Sequence, residues 1–374
     1  MRDAPFGRQH LLRPTWKRQQ ICWIVAAALA WALLWVLLPI WSDASASTDK
    51  LEQLVQAQGL ELGYPGHAPL PTWILLGAER LLRPSLGLAY ALSIAGLLIG
   101  AGFLWRLSAE LLGREAALPA VLATGCIAFF SYRAHVFNHD AMLVPFVYAS
   151  AWAFLRAVRT GRLGYWLLLG VAVAGGLLTK YQFAVVLATF ALIAASLQLH
   201  RRAPCVRGAL LAAGTSVVLL APHVWWLIEN EFPPMRHAGE RVLADLGLAD
   251  RVSVSGGFIL QQVRDGLVAV VMLLLAAALS WRDRAASAPK IAVFPQPARD
   301  RVWILMLGLA PLVLMLALGL CGGVRLENYW GATGLQFIVL PVLHGLRQRR
   351  MVPSAAAVLG MFFVVQAAEA AYVL

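Results

Sequence analysis

Between Leu163 and Leu199 the chain runs for thirty-seven residues with a single charged side chain, Lys180. As one helix this run would extend about 55 Å, nearly twice the hydrocarbon thickness of a bilayer. Both flanks are basic, with Arg156, Arg159 and Arg162 before it and Arg201, Arg202 and Arg207 after it. Basic flanks stay on the cytoplasmic side, so the run is expected to cross twice and turn on the outer side near Lys180. By the same reasoning between Arg114 and Arg156, Arg133 to Asp140 fall at a second outer turn. Few folds other than a helical membrane bundle accept such a constraint.

Composition closes off the alternatives. The chain is 60% hydrophobic and only 13% charged, with a mean hydropathy of +0.71. Soluble domains run near ~45–50% apolar and ~25% charged, so a soluble enzyme and a disordered chain are both excluded. The four cysteines, Cys22, Cys126, Cys205 and Cys321, form no CxxC pair, so no cysteine metal site or disulfide framework is implied. Motifs of the types GxxxxGK[ST], HExxH and GxSxG are absent from the sequence. ATP-driven transport, zinc proteolysis and α/β-hydrolase chemistry therefore have no support.

The expected fold class is all-α, a polytopic bundle of about eleven transmembrane helices. The expected spans are 21–41, 85–105, 116–132, 141–157, 163–179, 182–199, 208–228, 266–281, 302–321, 330–346 and 352–372. Residues 1–20 read as a basic cytoplasmic N-terminus leading into an uncleaved first span, Ile21–Trp41, which carries no charge. Residues 21–374 form the membrane domain, with long outer loops at 42–84 and 229–265 and the C-terminus outside. This assignment puts 21 of 31 cationic side chains inside and 13 of 19 acidic ones outside. The net charge of +12 is thereby read as orientation signals beside anionic lipid, not as a nucleic-acid surface. Chemistry is expected on the outer, acidic side.

The first outer loop begins with Ser47, Thr48 and Asp49, good N-cap candidates, followed by apolar Leu51, Leu54 and Val55. That pattern predicts an amphipathic helix lying on the membrane surface. A turn-rich break, Gly63-Tyr64-Pro65-Gly66-His67-Ala68-Pro69-Leu70, precedes a second apolar helix over Pro71–Leu82. On these residues alone, Asp49 reads first as a helix cap.

Asp49 followed eighteen residues later by His67, within D-K-L-E-Q-L and G-L-E-L-G-Y-P-G-H-A-P-L-P-T-W, resembles the first outer loop of the protein mannosyltransferase-like enzymes. These are the GT-C membrane glycosyltransferases of glycosyltransferase family 39, which include aminoarabinose transferases. Further matches run in order: Asn138-His139-Asp140-Ala141-Met142-Leu143 resembles the family's x-P-D-A-L-L, and Leu178-Thr179-Lys180-Tyr181 its L-S-K-Y. Pro222, Trp225, Trp226, Glu229 to Phe232, Arg236 and His237 resemble the segment after the seventh span, and Asn328-Tyr329-Trp330 a late outer helix start. The resemblance covers roughly residues 20–345. Lys50 stands where the family usually has Glu, and Ala68 replaces the first Pro of its H-P-P.

The resemblance implies transfer of a sugar from a polyprenyl-phosphate carrier to an envelope lipid, glycan or protein, at the outer face of a bacterial inner membrane. Asp49 matches the family's catalytic carboxylate and would be the general base, with Asp140 orienting acceptor or sugar, or tuning Asp49. His67, Arg133, Lys180, Arg236 and His237 are candidates for gripping the carrier phosphate, where negative charge accumulates in the transition state. Lys180 stands out, because a lone charge between two apolar helices is costly and usually functional. It reads alternatively as a lysine snorkelling to the interface, and Arg133 as an ion-pair partner of Asp140. Tyr64, Trp225 and Trp330 would wall the sugar pocket, although tryptophan is common in interfacial belts regardless of function. His223, near the outer end of the seventh span, reads as a satisfied interior histidine.

No metal ligand set stands out. His135 and His139, spaced i, i+4, would share one face of a helix but lack a third ligand. No certain cofactor follows, the lipid-linked sugar being substrate, and a need for a divalent metal is left open. A transporter of lipid-linked saccharide and a non-catalytic GT-C-like subunit remain the alternatives. Transporters place ionisable groups mid-membrane near discontinuous helices, whereas these gather on one side.

Overall fold

The computed structural model describes residues 18–42, 53, 55–242, 247–285 and 297–374. All regular elements among them are helical. In chain order these are α1 (Arg18–Ser42), α2 (Leu70–Leu81), α3 (Leu86–Leu112), α4 (Ala117–Thr124), α5 (His139–Thr160), α6 (Leu163–Thr179) and α7 (Ala184–Ser196). They continue with α8 (Ala203–Glu229), α9 (Pro233–Val242), α10 (Leu248–Ala285), α11 (Ala298–Leu320), α12 (Gly331–Leu335), α13 (Val339–Gln348) and α14 (Ala355–Val373). Seven of these, α1, α3, α5, α8, α10, α11 and α14, are long and apolar enough to cross a membrane. Two shorter apolar helices come from the long uncharged run, and Lys180 lies between them in extended backbone, φ −157° and ψ 128°. The expected helix over Ser47–Val55 lies mostly outside the described residues, whereas α2 occupies the second expected position in that loop.

Two expected spans are not continuous helices. Residues 116–132 give only α4, then a turn and a single 3-10 turn at Ala128–Phe130. Residues 330–346 give the short helices α12 and α13, separated by a turn. Broken backbone survives at membrane depth only where protein satisfies its polar groups. Here the caps come from distant helices. Gln366 of α14 donates from Nε2 to the Gly125 carbonyl at 3.2 Å. Gln262 of α10 donates to Asn328 O at 3.1 Å, Gln182 to Trp330 O at 2.9 Å, and the Tyr148 hydroxyl of α5 to Gln336 O at 2.8 Å. A count of apolar residues cannot register such partners. The stretch 229–265 is also largely helical, and α10 runs on without interruption through the expected eighth span, 266–281.

Gln366 is the most exacting of these caps, since its Oε1 also accepts from Trp35 Nε1 of α1 at 2.7 Å. Leucine at this 3%-exposed position would strand the buried Trp35 donor, at about 1–3 kcal/mol, and the part-buried Gly125 acceptor at less. Gln366→Leu is therefore expected to lower the thermal unfolding midpoint of the detergent-solubilised protein by several degrees. An unchanged midpoint would mean that lipid or water takes over both groups.

The helix α5 is the central post, buried over most of its length. Small residues let its neighbours approach, as membrane helices require in the absence of a hydrophobic drive between them. A Cβ on Gly100 of α3 would lie 2.8 Å from Val144 of α5, and one on Gly170 of α6 would lie 2.6 Å from the Ala212 carbonyl of α8. The two ends of α5 differ in kind. At its last turns, Arg159 pairs with Asp300 at 2.8 Å and with Glu110 at 3.3 Å, while Arg156 pairs with Glu110 at 3.6 Å. Asp140 sits in its first turn, nineteen residues and about 29 Å away.

Candidate active site

The first turn of α5 is set by Asn138, whose Oδ1 accepts the Ala141 N–H at 2.9 Å. This cap places Asp140 where the helix dipole favours a negative charge. Across from it the chain leaves α6 with the Lys180 N–H bonded to Gly176 O at 2.9 Å. The side chain of Lys180 then reaches Asp140, with Nζ 2.6 Å from Oδ1. Both side chains are largely buried, at 17% and 15% exposure. The ammonium also lies 5.3 Å from the centre of the Tyr329 ring, within cation–π range. Asp140 thus pairs with Lys180 and not with Arg133, and Lys180 turns inward to a carboxylate instead of snorkelling.

A loop from the first connection reaches the same end of α5. His67 lies against His139, the residue beside Asp140, with ring centroids 4.3 Å apart. Further back in the loop, Trp73 Nε1 donates to Glu61 O at 2.7 Å and the Tyr64 hydroxyl to Gly59 O at 2.8 Å. Burial holds the Tyr64 phenol above its ordinary range, so it stays protonated and remains a donor. Gly63 lies flat against the ring of Trp226, which leaves no room for a Cβ. His223 of α8 bonds Leu62 O through Nδ1 at 2.7 Å and the Tyr181 hydroxyl through Nε2 at 2.8 Å.

The candidates divide accordingly. Asp140, Lys180 and His67 gather at one end of α5, and Trp330 reaches the same neighbourhood through its carbonyl bond to Gln182. Tyr64 braces the loop by which His67 is carried. Arg133 is exposed and lies 5.5 Å from the ring centres of both Phe129 and Tyr132. Arg236 pairs with Glu231 at 3.3 Å on the surface. Trp225 is 62% exposed and turned away, while its neighbour Trp226 packs on the loop. Asp49 and the His237 side chain lie outside the described residues. His135 and His139 do not share a helix face, since 131–138 is turn and bend; His135 meets the edge of Tyr90 instead. Tyr329 and Gln182 were not among the residues singled out for the site, and only Tyr329 had a signal, as a member of a motif read above. An apolar cleft elsewhere, between α1, α3, α4, α5 and α14, has no acidic or basic side chain on its walls.

This arrangement has relatives. The family model for dolichyl-phosphate-mannose-protein mannosyltransferases matches residues 66–226, the segment that carries His67, Asp140 and Lys180. The fold is similar to that of ArnT from Cupriavidus metallidurans bound to undecaprenyl phosphate, with a TM-score of 0.60 and 17% identity over 94% of this chain and 77% of that one. The apo state of the same protein gives 0.59, over 95% and 78%. The chain has an ArnT-like GT-C fold. Over 220 residues the chain is also 31% identical to the lipopolysaccharide core galacturonosyltransferase RgtB of Rhizobium johnstonii. That match takes in 57% of this chain but only 44% of the relative, so the chain spans less than half the length of the curated protein it matches. Tyr329, Trp330 and Gln262 fall beyond the family match, and the GT-C fold brings them back to the site from a late segment.

Proposed function

We propose that the chain transfers a sugar from a polyprenyl-phosphate-linked donor to an envelope acceptor at the outer face of the membrane. The acceptor hydroxyl would attack the anomeric carbon and pass its proton to Asp49. The bond between that carbon and the phosphate oxygen breaks, and polyprenyl phosphate leaves with the electron pair. Lys180 meets the charge that grows on the departing phosphate, His67 stands beside it, and Asp140 holds Lys180 in place between turnovers. Arg133, Arg236 and His237 are further candidates for the phosphate.

The observation that carries this reading is the Lys180–Asp140 pair. Forty residues separate the two in sequence, yet they meet at 2.6 Å, and His67 lies against His139 beside them. A buried ion pair contributes little net stability, so its retention at one end of a membrane bundle favours a functional role. The galacturonosyltransferase relative makes polyprenyl phosphate–galacturonate the first donor to try, with polyprenyl phosphate–aminoarabinose second. The test is release of polyprenyl phosphate by the purified chain in proteoliposomes, followed by mass spectrometry, with a lipopolysaccharide acceptor. Donor consumption that is acceptor-dependent supports the reading. Saccharide translocation without bond cleavage would replace it with the transporter alternative.

A further inference from the structure

His223 has both ring nitrogens committed. A carbonyl only accepts, so the 2.7 Å contact with Leu62 O requires the proton on Nδ1. Nε2 is then a lone pair, and the Tyr181 hydroxyl donates to it at 2.8 Å. One neutral imidazole therefore ties the backbone of the loop before His67 to the residue that follows Lys180. The ring is further fixed between Tyr181 and Trp226, with interplanar angles of 12° and 13°. Trp226 in turn lies on Gly63, the residue after Leu62. Leu62, Tyr181 and His223 come from three separate parts of the chain, and this one ring joins them.

We propose that His223 is a positioning residue: it holds the 59–68 loop and the Lys180 turn in one frame, so that the donor phosphate enters between groups already set apart at the right spacing. His223 touches neither Asp140 nor Lys180 itself. It acts through the Tyr181 hydroxyl on one side and the Leu62 carbonyl on the other. Preorganisation of this kind is expressed as donor affinity, because it removes an ordering step from binding. The proposal rests on the transfer reading for its kinetic part, but loop clamping does not depend on it.

The experiment uses the full chain in lipid nanodiscs. In hydrogen–deuterium exchange, His223→Ala is expected to raise exchange across 59–68 at least tenfold. His223→Asn, whose amide sits near the Nδ1 position and can still donate to Leu62 O, is expected to keep that segment protected. Tyr181→Phe is expected to leave the segment protected as well. Binding of undecaprenyl phosphate should weaken about tenfold in His223→Ala, His223→Asn and Tyr181→Phe alike, since each loses the link to Tyr181. The double variant His223→Asn/Tyr181→Phe should be no weaker than either single one, because one shared bond is lost only once. In turnover, the donor KM should rise by the same factor while kcat stays within threefold. Unchanged exchange in His223→Ala overturns the clamp. Multiplying effects in the double variant, or a fall in kcat at constant KM, overturns the positioning role. A wild-type chain that binds undecaprenyl phosphate but transfers no sugar would sink the transfer reading alone.

Discussion

Lys180→Ala is expected to weaken donor use about a hundredfold and to cost the protein several degrees of thermal stability. The two effects have one origin. The Lys180 ammonium sits 2.6 Å from the Asp140 carboxylate, and both are largely buried. Removing the cation leaves that carboxylate unpaired in a poorly solvated site, a loss of about 3–5 kcal/mol for breaking a buried pair. The lower end applies here, since each partner keeps some 15% of its surface exposed. The companion variant separates stability from function. Asp140→Asn combined with Lys180→Ala removes both charges, so the unfolding midpoint should recover most of the loss. Donor KM should not recover, because no ammonium remains to meet the phosphate. Lys180→Arg should lie between, with the charge kept but the short contact to Asp140 lost. Thermal unfolding and donor KM, measured on all four proteins, check this. Recovery of donor use in the double variant would remove Lys180 from phosphate binding.

Asp49→Asn is expected to reduce the single-turnover rate by about 10²–10⁴ while leaving undecaprenyl phosphate binding within twofold. Asparagine keeps the size of the side chain and its capacity to cap a helix, but cannot take a proton. A base role predicts loss in the chemical step alone, and the substitution discriminates it from capping, which asparagine performs as well as aspartate. Parallel loss of binding and rate would return Asp49 to a structural role. Full activity would move the base elsewhere in the site.

Much of the bundle was legible because its signals are one-dimensional. Lys180 alone in thirty-seven residues forced a turn, and α6 ends at Thr179 immediately before it. The charge-free first run and the positions of α3, α5, α8, α11 and α14 follow from apolar length in the same way, although α3 runs seven residues beyond the expected end at 105. What escaped depends on partners that no window along the chain contains. Residues 116–132 look like a span, but their helix stops at Thr124, where Gln366 from 241 residues later caps the next carbonyl. In the site, Asp140 and Lys180 each stood out singly, yet nothing in the spacing said that they would touch. Trp225 and Trp226 differ by one step of about 100° around a helix, and that step decides which lies on the loop and which faces outward.

The borrowed caps impose an order on biogenesis. The bared carbonyl at Gly125 leaves the ribosome long before Gln366 exists, and the carbonyls near 328–336 depend on α5, α10 and the Gln182 turn, already synthesised. An exposed peptide group in hydrocarbon costs several kcal/mol, so the early segment cannot rest in lipid by itself. On this reasoning its release from the insertion machinery is expected to follow arrival of the final helix.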